Sequence, residues 1–312
     1  MRVYKGLADP GLKSGRVRGR AVAIGVFDGV HRAHRRIVLR AVAAARRRGL
    51  KAAVVTFDPH PKNVLYPDHR RPILQSLRHR LSQLAALGVA ETIVVRFDKR
   101  FAAMSADAFL ETLDRKLGAR VVCVGHDFRY GRQGLGDPDR LKRWGASGGR
   151  EIHVERVYRV GGTAVSSTRI REMIVSGDLA GAARLLGRRV SIYGDVVRGY
   201  GRGRRIGYAT ANLNPHHETL PPPGVYAAWG LLDRRRLRAV VHIGPRPTFG
   251  EQDPSIEAHF LTPPDGPLYG RPIELEFVRK LRDIKRFSSS VELAEAITGD
   301  VRRARAALAG QG

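Results

Sequence analysis

The first half of the chain repeats one pattern that leaves few folds open to it. Four runs, "AVAIGVF" (21–27), "KAAVVTF" (51–57), "ETIVVRF" (91–97) and "ARVVCVG" (119–125), are short and nearly continuously apolar. Strands read this way when both of their faces are buried. Helical patterns stand between them: "RAHRRIVLRAVAAARRRG" (32–49), "ILQSLRHRLSQLAALG" (73–88) and "SADAFLETLDRKLG" (105–118), the last opening on a Ser105 cap. A mixed strand, "REIHVERVYRV", and a helix starting near Thr168 close the series. Alternation of this kind predicts a doubly wound α/β domain with a parallel sheet over residues 1 to about 185.

The second half changes character. Strand-like runs, among them "RVSIYGDVVRG", "GVYAAWGLL", "LRAVVHIG", "SIEAHFL" and "PIELEFVRKL", are separated by Gly and Pro clusters. One helical pattern, "SVELAEAITGDVRRARAALA", ends the chain. This predicts an antiparallel β-domain, a small barrel with a terminal helix, over residues 186–312. The fold class is therefore α/β followed by β.

Totals narrow the function. The 312 residues suit one large or two ordinary domains. A single cysteine, Cys123, excludes an internal disulfide and points to an intracellular, cytoplasmic protein. No apolar run is long enough to span a bilayer, and the first residues lack the apolar core of a signal peptide. Net charge is +27, which raises binding to nucleic acid. Yet the charge is mostly Arg and spread along the chain. Its longest runs, Arg46 to Arg48 and Arg234 to Arg236, fall at a helix end and a hairpin turn, where solvated charge usually sits.

Chemistry concentrates in a few motifs. "GVFDGVHRAH" (25–34) follows a strand and opens a helix, so His31 and His34 stand at a helix N-terminus, an anion site. Taken alone, His-x-x-His also fits exposed surface histidines or a zinc pair, although no cysteines lie nearby to complete one. "TFDPHP" brings Asp58 and His60 to the end of the next strand, equally readable as a Pro-fixed turn with a capping Asp. "GYGRGRRIGYATANL" (199–213) carries Gly201, Gly203 and Gly207 in a loop able to wrap phosphates, or in a flexible hairpin. Thr210 and Asn212, two apart on an extended segment, point the same way. Glu257 alternates with Ile256 and Ala258 along a strand, as a solvated glutamate would too.

Together these motifs resemble the nucleotidylyl transferase signature as carried by the bacterial bifunctional riboflavin kinase/FAD synthetases. "GVFDGVHRAH", "TFDPHP", "VGHDFRYGRQGLGD" (124–137) and "VSSTRIR" (165–171) match the family's first half in order. "GYGRGRRIGYATANL", "HIGPRPTFG", "SIEAHFL" and "LRDIKRFSSSVELAEAI" match its second. The resemblance implies a Rossmann-like FMN adenylyltransferase domain and a riboflavin kinase barrel. The second makes FMN from riboflavin and ATP, the first makes FAD from FMN and ATP, and both use Mg²⁺. ATP, riboflavin and FMN are then substrates, and no membrane or nucleic-acid partner is implied.

By resemblance, Gly25, Phe27, Asp28, Gly29, His31 and His34 contact ATP, with Ser167, Thr168 and Arg171 gripping its β/γ end. Asp58, His60, Asp127 and Phe128 shape the nucleotide and flavin pocket. Gly201, Gly203, Gly207, Thr210 and Asn212 bind ATP phosphates, and Thr210 and Asn212 also bind Mg²⁺. Arg282 and Phe287 lie near the flavin. In adenylyl transfer the attacking FMN phosphate is already an anion and needs no base. In the kinase reaction the riboflavin hydroxyl must lose a proton, and Glu257 is the expected base. The sequence departs from the family at Ala33, usually Gly, at Val26, often Asn, and at Ala209, usually Pro. A riboflavin kinase with a weakened or altered first half therefore stays open as an alternative, and a basic nucleic-acid-binding protein is a second one that the motifs oppose.

Overall fold

The structure is a computed structural model and describes residues 1–12, 19–198, 210–233, 235–245 and 254–310. In chain order its first part contains β1 (Arg2–Tyr4), β2 (Arg20–Ile24), α1 (Arg32–Arg48), β3 (Lys51–Asp58), α2 (Pro61–Leu65), α3 (Leu77–Ala86), β4 (Glu91–Arg96), α4 (Lys99–Ala102), α5 (Ala106–Arg115), β5 (Ala119–Gly125), α6 (Pro138–Ser147), β6 (Glu151–Glu155) and the small hairpin β7 (Arg159–Val160) and β8 (Thr163–Ala164). Next come α7 (Ser167–Ser176) and α8 (Leu179–Leu186). The second part contains β9 (Ser191–Val197), β10 (Thr210–Pro215), β11 (Gly224–Leu232), β12 (Arg235–Pro245), β13 (Pro254–Phe260), β14 (Pro272–Arg282) and α9 (Ser290–Leu308).

The chain divides into two compact units. One comprises Met1–Ile73 and Leu77–Ser167, the other Leu74–Ser76 and Thr168–Gly312. Helices α7 (from Thr168) and α8 thus belong with the second unit.

In the first unit six strands form a parallel sheet in the order β1-β4-β3-β2-β5-β6. The apolar run at 21–27 is its central strand rather than its first. β1, only three residues long, takes the edge beside β4. Every residue of β2 is buried, Ala21 to Ile24 as small and β-branched side chains between two helical layers. The chain leaves β2 toward β3 and β4 on one side and returns to β5 on the other. The order therefore reverses between β2 and β5, and ligands of open α/β sheets collect outside the strand ends at such a reversal.

Local signals set the helix ends. α1 closes on Gly49 in the left-handed region, with Arg46, Arg47 and Arg48 in its last turn facing the negative end of the dipole. Ser105 caps α5 and Asp137 caps α6.

The second unit is a closed antiparallel barrel in the order β10-β13-β12-β11-β14-β9. The "TAN" segment, read as merely extended, is one of its strands. Strand alternation divides two faces. Ala228, Val241, Ile243, Ile256 and Ala258 are buried on one. Val225, Ala227, Trp229 and Val240 lie on the other and pack against Ala304 and Leu308 of α9. Among the described residues no helix is long and apolar enough to cross a membrane.

Candidate active sites

The first site grows from the carboxyl end of β2. Between Gly25 and His31 the backbone turns through three positive φ values: Phe27 at 54°, Gly29 at 90° and Val30 at 35°. Glycine takes such a conformation freely, whereas a β-branched valine rarely does. Strain of this kind persists only where the surroundings over-determine it. Here Phe27 and Val30 are both fully buried, and the Val30 N–H donates to the Phe27 carbonyl at 3.1 Å. The Phe27 ring folds back over Gly25, where an added Cβ would come within 3.1 Å of it. It also makes a T-shaped pair with the His34 ring, with centroids 5.4 Å apart.

The turn delivers two histidines to the helix start. His31 is the N-cap of α1, and its Nδ1 accepts the His34 backbone N–H at 3.2 Å. A ring nitrogen that accepts holds no proton, so in the neutral His31 ring the proton stands on Nε2. The two imidazoles stack with centroids 3.5 Å apart. Ala33 occupies the second position of α1 and has helical backbone, so its methyl costs no strain.

Other predicted residues join this end of the sheet. Ser167 Oγ donates to the Asp28 carbonyl at 2.8 Å. Thr168 and Arg171 stand on α7, one turn apart on one side of that helix, and fall in the second unit. Asp127 and Phe128 form the turn after β5, where the Phe128 N–H donates to the Gly125 carbonyl at 3.1 Å. The Phe128 ring stacks on Tyr130 at 5.5 Å, and Tyr130 in turn meets Phe109 at 5.2 Å. Asp58 ends β3. The cap of α2 is His60, whose Nδ1 accepts the Lys62 N–H at 3.1 Å, and not Asp58 as a capping turn would have it.

The site also holds a residue that motif reading missed. Arg80 of α3 is buried beneath the turn and donates from Nη1 to the Val26 carbonyl at 2.6 Å. A charged residue on the buried side of a helix, one turn before Leu84, was its only sequence signal.

The second site is a row around the barrel. Register pairs Asn212 with Glu257, Glu257 with His242, His242 with Val225, and Val225 with Arg282. Directly paired residues share a face, so the barrel gathers Asn212, Glu257, His242 and Arg282 on its α9-facing side. One row along, Thr210 pairs with His259. Glu257 Oε1 accepts from Ser255 Oγ at 3.2 Å. Arg282 is held by α9: its Nη2 and Nε reach Asp300 at 2.8 and 3.0 Å, and its guanidinium lies 5.5 Å from the Phe287 ring centre. His242 was also missed. Burial pushes its imidazole down, against the pull of Glu257 and with Arg282 adding to the fall. Gly201, Gly203 and Gly207 lie outside the described residues.

A magnesium ion suits this donor set. Thr210 and Asn212 offer hydroxyl and amide oxygens, hard ligands of the kind it prefers. Among the described residues no three His, Cys, Asp or Glu cluster closely enough to hold a metal by themselves.

Comparison with known proteins fits this arrangement. The family model of FAD synthetase matches residues 14–169, and that of riboflavin kinase matches 186–308. A bifunctional riboflavin kinase/FMN adenylyltransferase from Escherichia coli K12 is 37% identical over 289 residues, covering 92% of each chain. The protein of the same description from Bacillus subtilis is 34% identical over 292 residues, covering 91% of this chain and 90% of its own. A crystal structure described as a macrolide-efflux protein from Streptococcus pneumoniae superposes with a TM-score of 0.82 at 28% identity, covering 97% of this chain and 98% of its own.

Proposed function

The chain belongs to the bifunctional riboflavin kinase/FMN adenylyltransferase family, and from that premise we propose how its residues divide the work. The enzyme phosphorylates riboflavin to FMN with ATP, then adenylylates FMN to FAD with release of pyrophosphate. We assign adenylylation to residues 1–185 and the kinase reaction to residues 186–312. One observation carries the reading: both family models match, in sequence, along this single chain.

In adenylylation an FMN phosphate oxygen bonds to the α-phosphorus of ATP and the bond to the β-phosphate oxygen breaks. No proton need be removed from the nucleophile. The residues have to align two anions and neutralise charge as it builds on the leaving pyrophosphate. His31 suits this role because it stands at the positive end of α1. His34 lies stacked beside it. Ser167, Thr168 and Arg171 would bind the departing end, Arg171 through two parallel hydrogen bonds. Phe128 and Asp127 would border the flavin nucleotide, with Asp58 and His60 at the rim.

In the kinase reaction the riboflavin 5′-oxygen bonds to the γ-phosphorus and ADP leaves. Glu257 takes the hydroxyl proton. Asn212, beside it in register, and Thr210 hold the γ-phosphate end. Bound magnesium would neutralise phosphate charge there. Arg282 and Phe287 stand near the flavin, with Arg282 fixed by Asp300. The ATP-dependent chemistry and the single cysteine favour a cytoplasmic setting.

A time course tests the whole. Purified protein with riboflavin, ATP and Mg²⁺ should show FMN rising first, then FAD with matching pyrophosphate. FMN that accumulates with neither FAD nor pyrophosphate would leave a riboflavin kinase alone.

A further inference from the structure

Among the described residues of the first unit two arginines are buried, at opposite ends of its sheet. Arg20, at the amino end of β2, meets Glu91 at 2.6 Å and the Leu117 carbonyl at 2.9 Å. Its charge is cancelled in place, which is how a structural cation is kept. Arg80 is different. Only 5% exposed, it lies at the carboxyl ends of β2 and β3, where the nucleotide is handled. From Nη1 it donates to the Val26 carbonyl at 2.6 Å, the Thr56 hydroxyl at 3.1 Å and the Phe57 carbonyl at 3.1 Å. Thr56 Oγ1 also donates to the Val26 carbonyl, at 2.9 Å. Asp58 stands 3.4 Å from Nη2, and Nε has no hydrogen-bond partner among the described residues.

Most of these partners are neutral oxygens, so the guanidinium keeps charge to spare. Burying it incompletely paired costs several kcal/mol, and an apolar side chain would fill the same space without that cost. What the cation does here is twofold. It pins the carbonyl of Val26, the residue before the strained Phe27, and so fixes the turn that aims His31. It also sits near Asp28 and Asp58, two carboxylates that would otherwise repel a polyphosphate; their charges in turn favour its protonated form, while burial opposes it.

We propose that Arg80 is a positioning residue for FMN adenylylation, holding the 25–31 turn and offsetting Asp28 and Asp58 beneath the ATP phosphates. This rests on the adenylyltransferase reading of the first unit. The chain supplies its own control, because the kinase activity belongs to the other unit.

The test compares Arg80→Met, Arg80→Lys and Arg80→Ala in the full-length enzyme, measuring FAD formation from FMN and FMN formation from riboflavin. Arg80→Met should lower kcat for FAD formation about 100-fold, the effect of an ångström of misplacement, and raise KM for ATP. Its kinase rate should match the parent. Arg80→Lys, which keeps the charge but not the fork, should recover part of the loss. Guanidinium ion should restore FAD formation by Arg80→Ala saturably, at concentrations too low to unfold the protein. Parent kinetics in Arg80→Met would overturn the proposal. So would a loss that guanidinium does not relieve, or one that follows the first unit's unfolding transition, since Arg80 would then be structural. A parent enzyme that makes no FAD would instead overturn the reading on which the proposal rests.

Discussion

At the scale of the residue, His31 combines two tasks that can be separated. Its Nδ1 caps α1 by accepting the His34 N–H, and in the proposed function its Nε2 serves the substrate. Asparagine is as good an N-cap as any residue, yet it offers no imidazole donor. His31→Asn should therefore leave thermal stability near the parent and abolish most FAD formation. A variant that keeps its FAD rate would make His31 a cap and nothing more. Glu257 admits an equally clean change. Glu257→Gln keeps size and hydrogen bonding to Ser255 but removes the base. General-base loss costs about 100- to 10,000-fold, and the loss should fall on FMN formation while FAD formation from supplied FMN stays intact. Near-parent kinase turnover would remove Glu257 from that role.

At the scale of the element, α1 matters because it carries the histidines, and ion pairs fasten it to the sheet edge. Arg36 and Arg40, one turn apart, reach Glu155 at the end of β6 at 3.3 and 2.8 Å, and Arg48 reaches Glu151 at 3.1 Å. Burial alone pushes the Glu155 carboxyl up, but Arg40 and Arg36 outweigh it and hold it below its ordinary 4.5. A carboxyl lowered on folding stabilises above its unfolded value, and the contribution is lost as pH falls through the folded one. Glu155→Gln should therefore unfold at lower temperature than the parent at pH 7, by a margin that shrinks steadily below about pH 4.5. A margin constant with pH would show that the ion pairs contribute nothing there. Both arginines are about half exposed, so the margin should also narrow with added salt.

Elements were also where the sequence was most legible. β2 to β5 announced themselves because strands buried on both faces read as nearly continuous apolar runs. β1 did not, since Arg2–Tyr4 is too short for any period to appear. The motif residues His31, Ser167, Asn212 and Glu257 could be placed because each sits at a strand end, at a helix start or in strict alternation. Arg80 and His242 could not. Arg80 acts through strand-end carbonyls from a helix 54 residues beyond Val26. His242 enters the second site only through the register of β12 on β13. Neither fact exists in the sequence until tertiary pairing is known. Ala33 is the converse case: the departure from glycine loses its meaning once the position is seen to be helical.

At the scale of the whole molecule, the +27 charge has to be reconciled with small-molecule chemistry. Nucleic-acid binding needs basic side chains free and grouped on one surface. The longest basic runs here do not supply that. Arg46, Arg47 and Arg48 complement the dipole end of α1, and Arg48 is paired with Glu151. Arg235 is paired with Asp265, while Arg236 lies 4.3 Å from the Trp229 ring centre and meets Glu276. On α9, Arg303 is bonded to Asp300. Charge spread and engaged in this way still attracts a polyanion over long range, but it neutralises few phosphates at once. The slope of binding against salt counts those phosphates, at about 0.9 per contact. Retention on a duplex oligonucleotide should thus appear only at low ionic strength and fade with a shallow slope before about 0.15 M salt, where the Debye length is about 8 Å. Excess duplex at that salt should leave FMN and FAD formation unchanged. Tight binding with a slope of several phosphates, or inhibition of either reaction by the duplex, would mean that the arginines form a surface the catalytic reading does not account for.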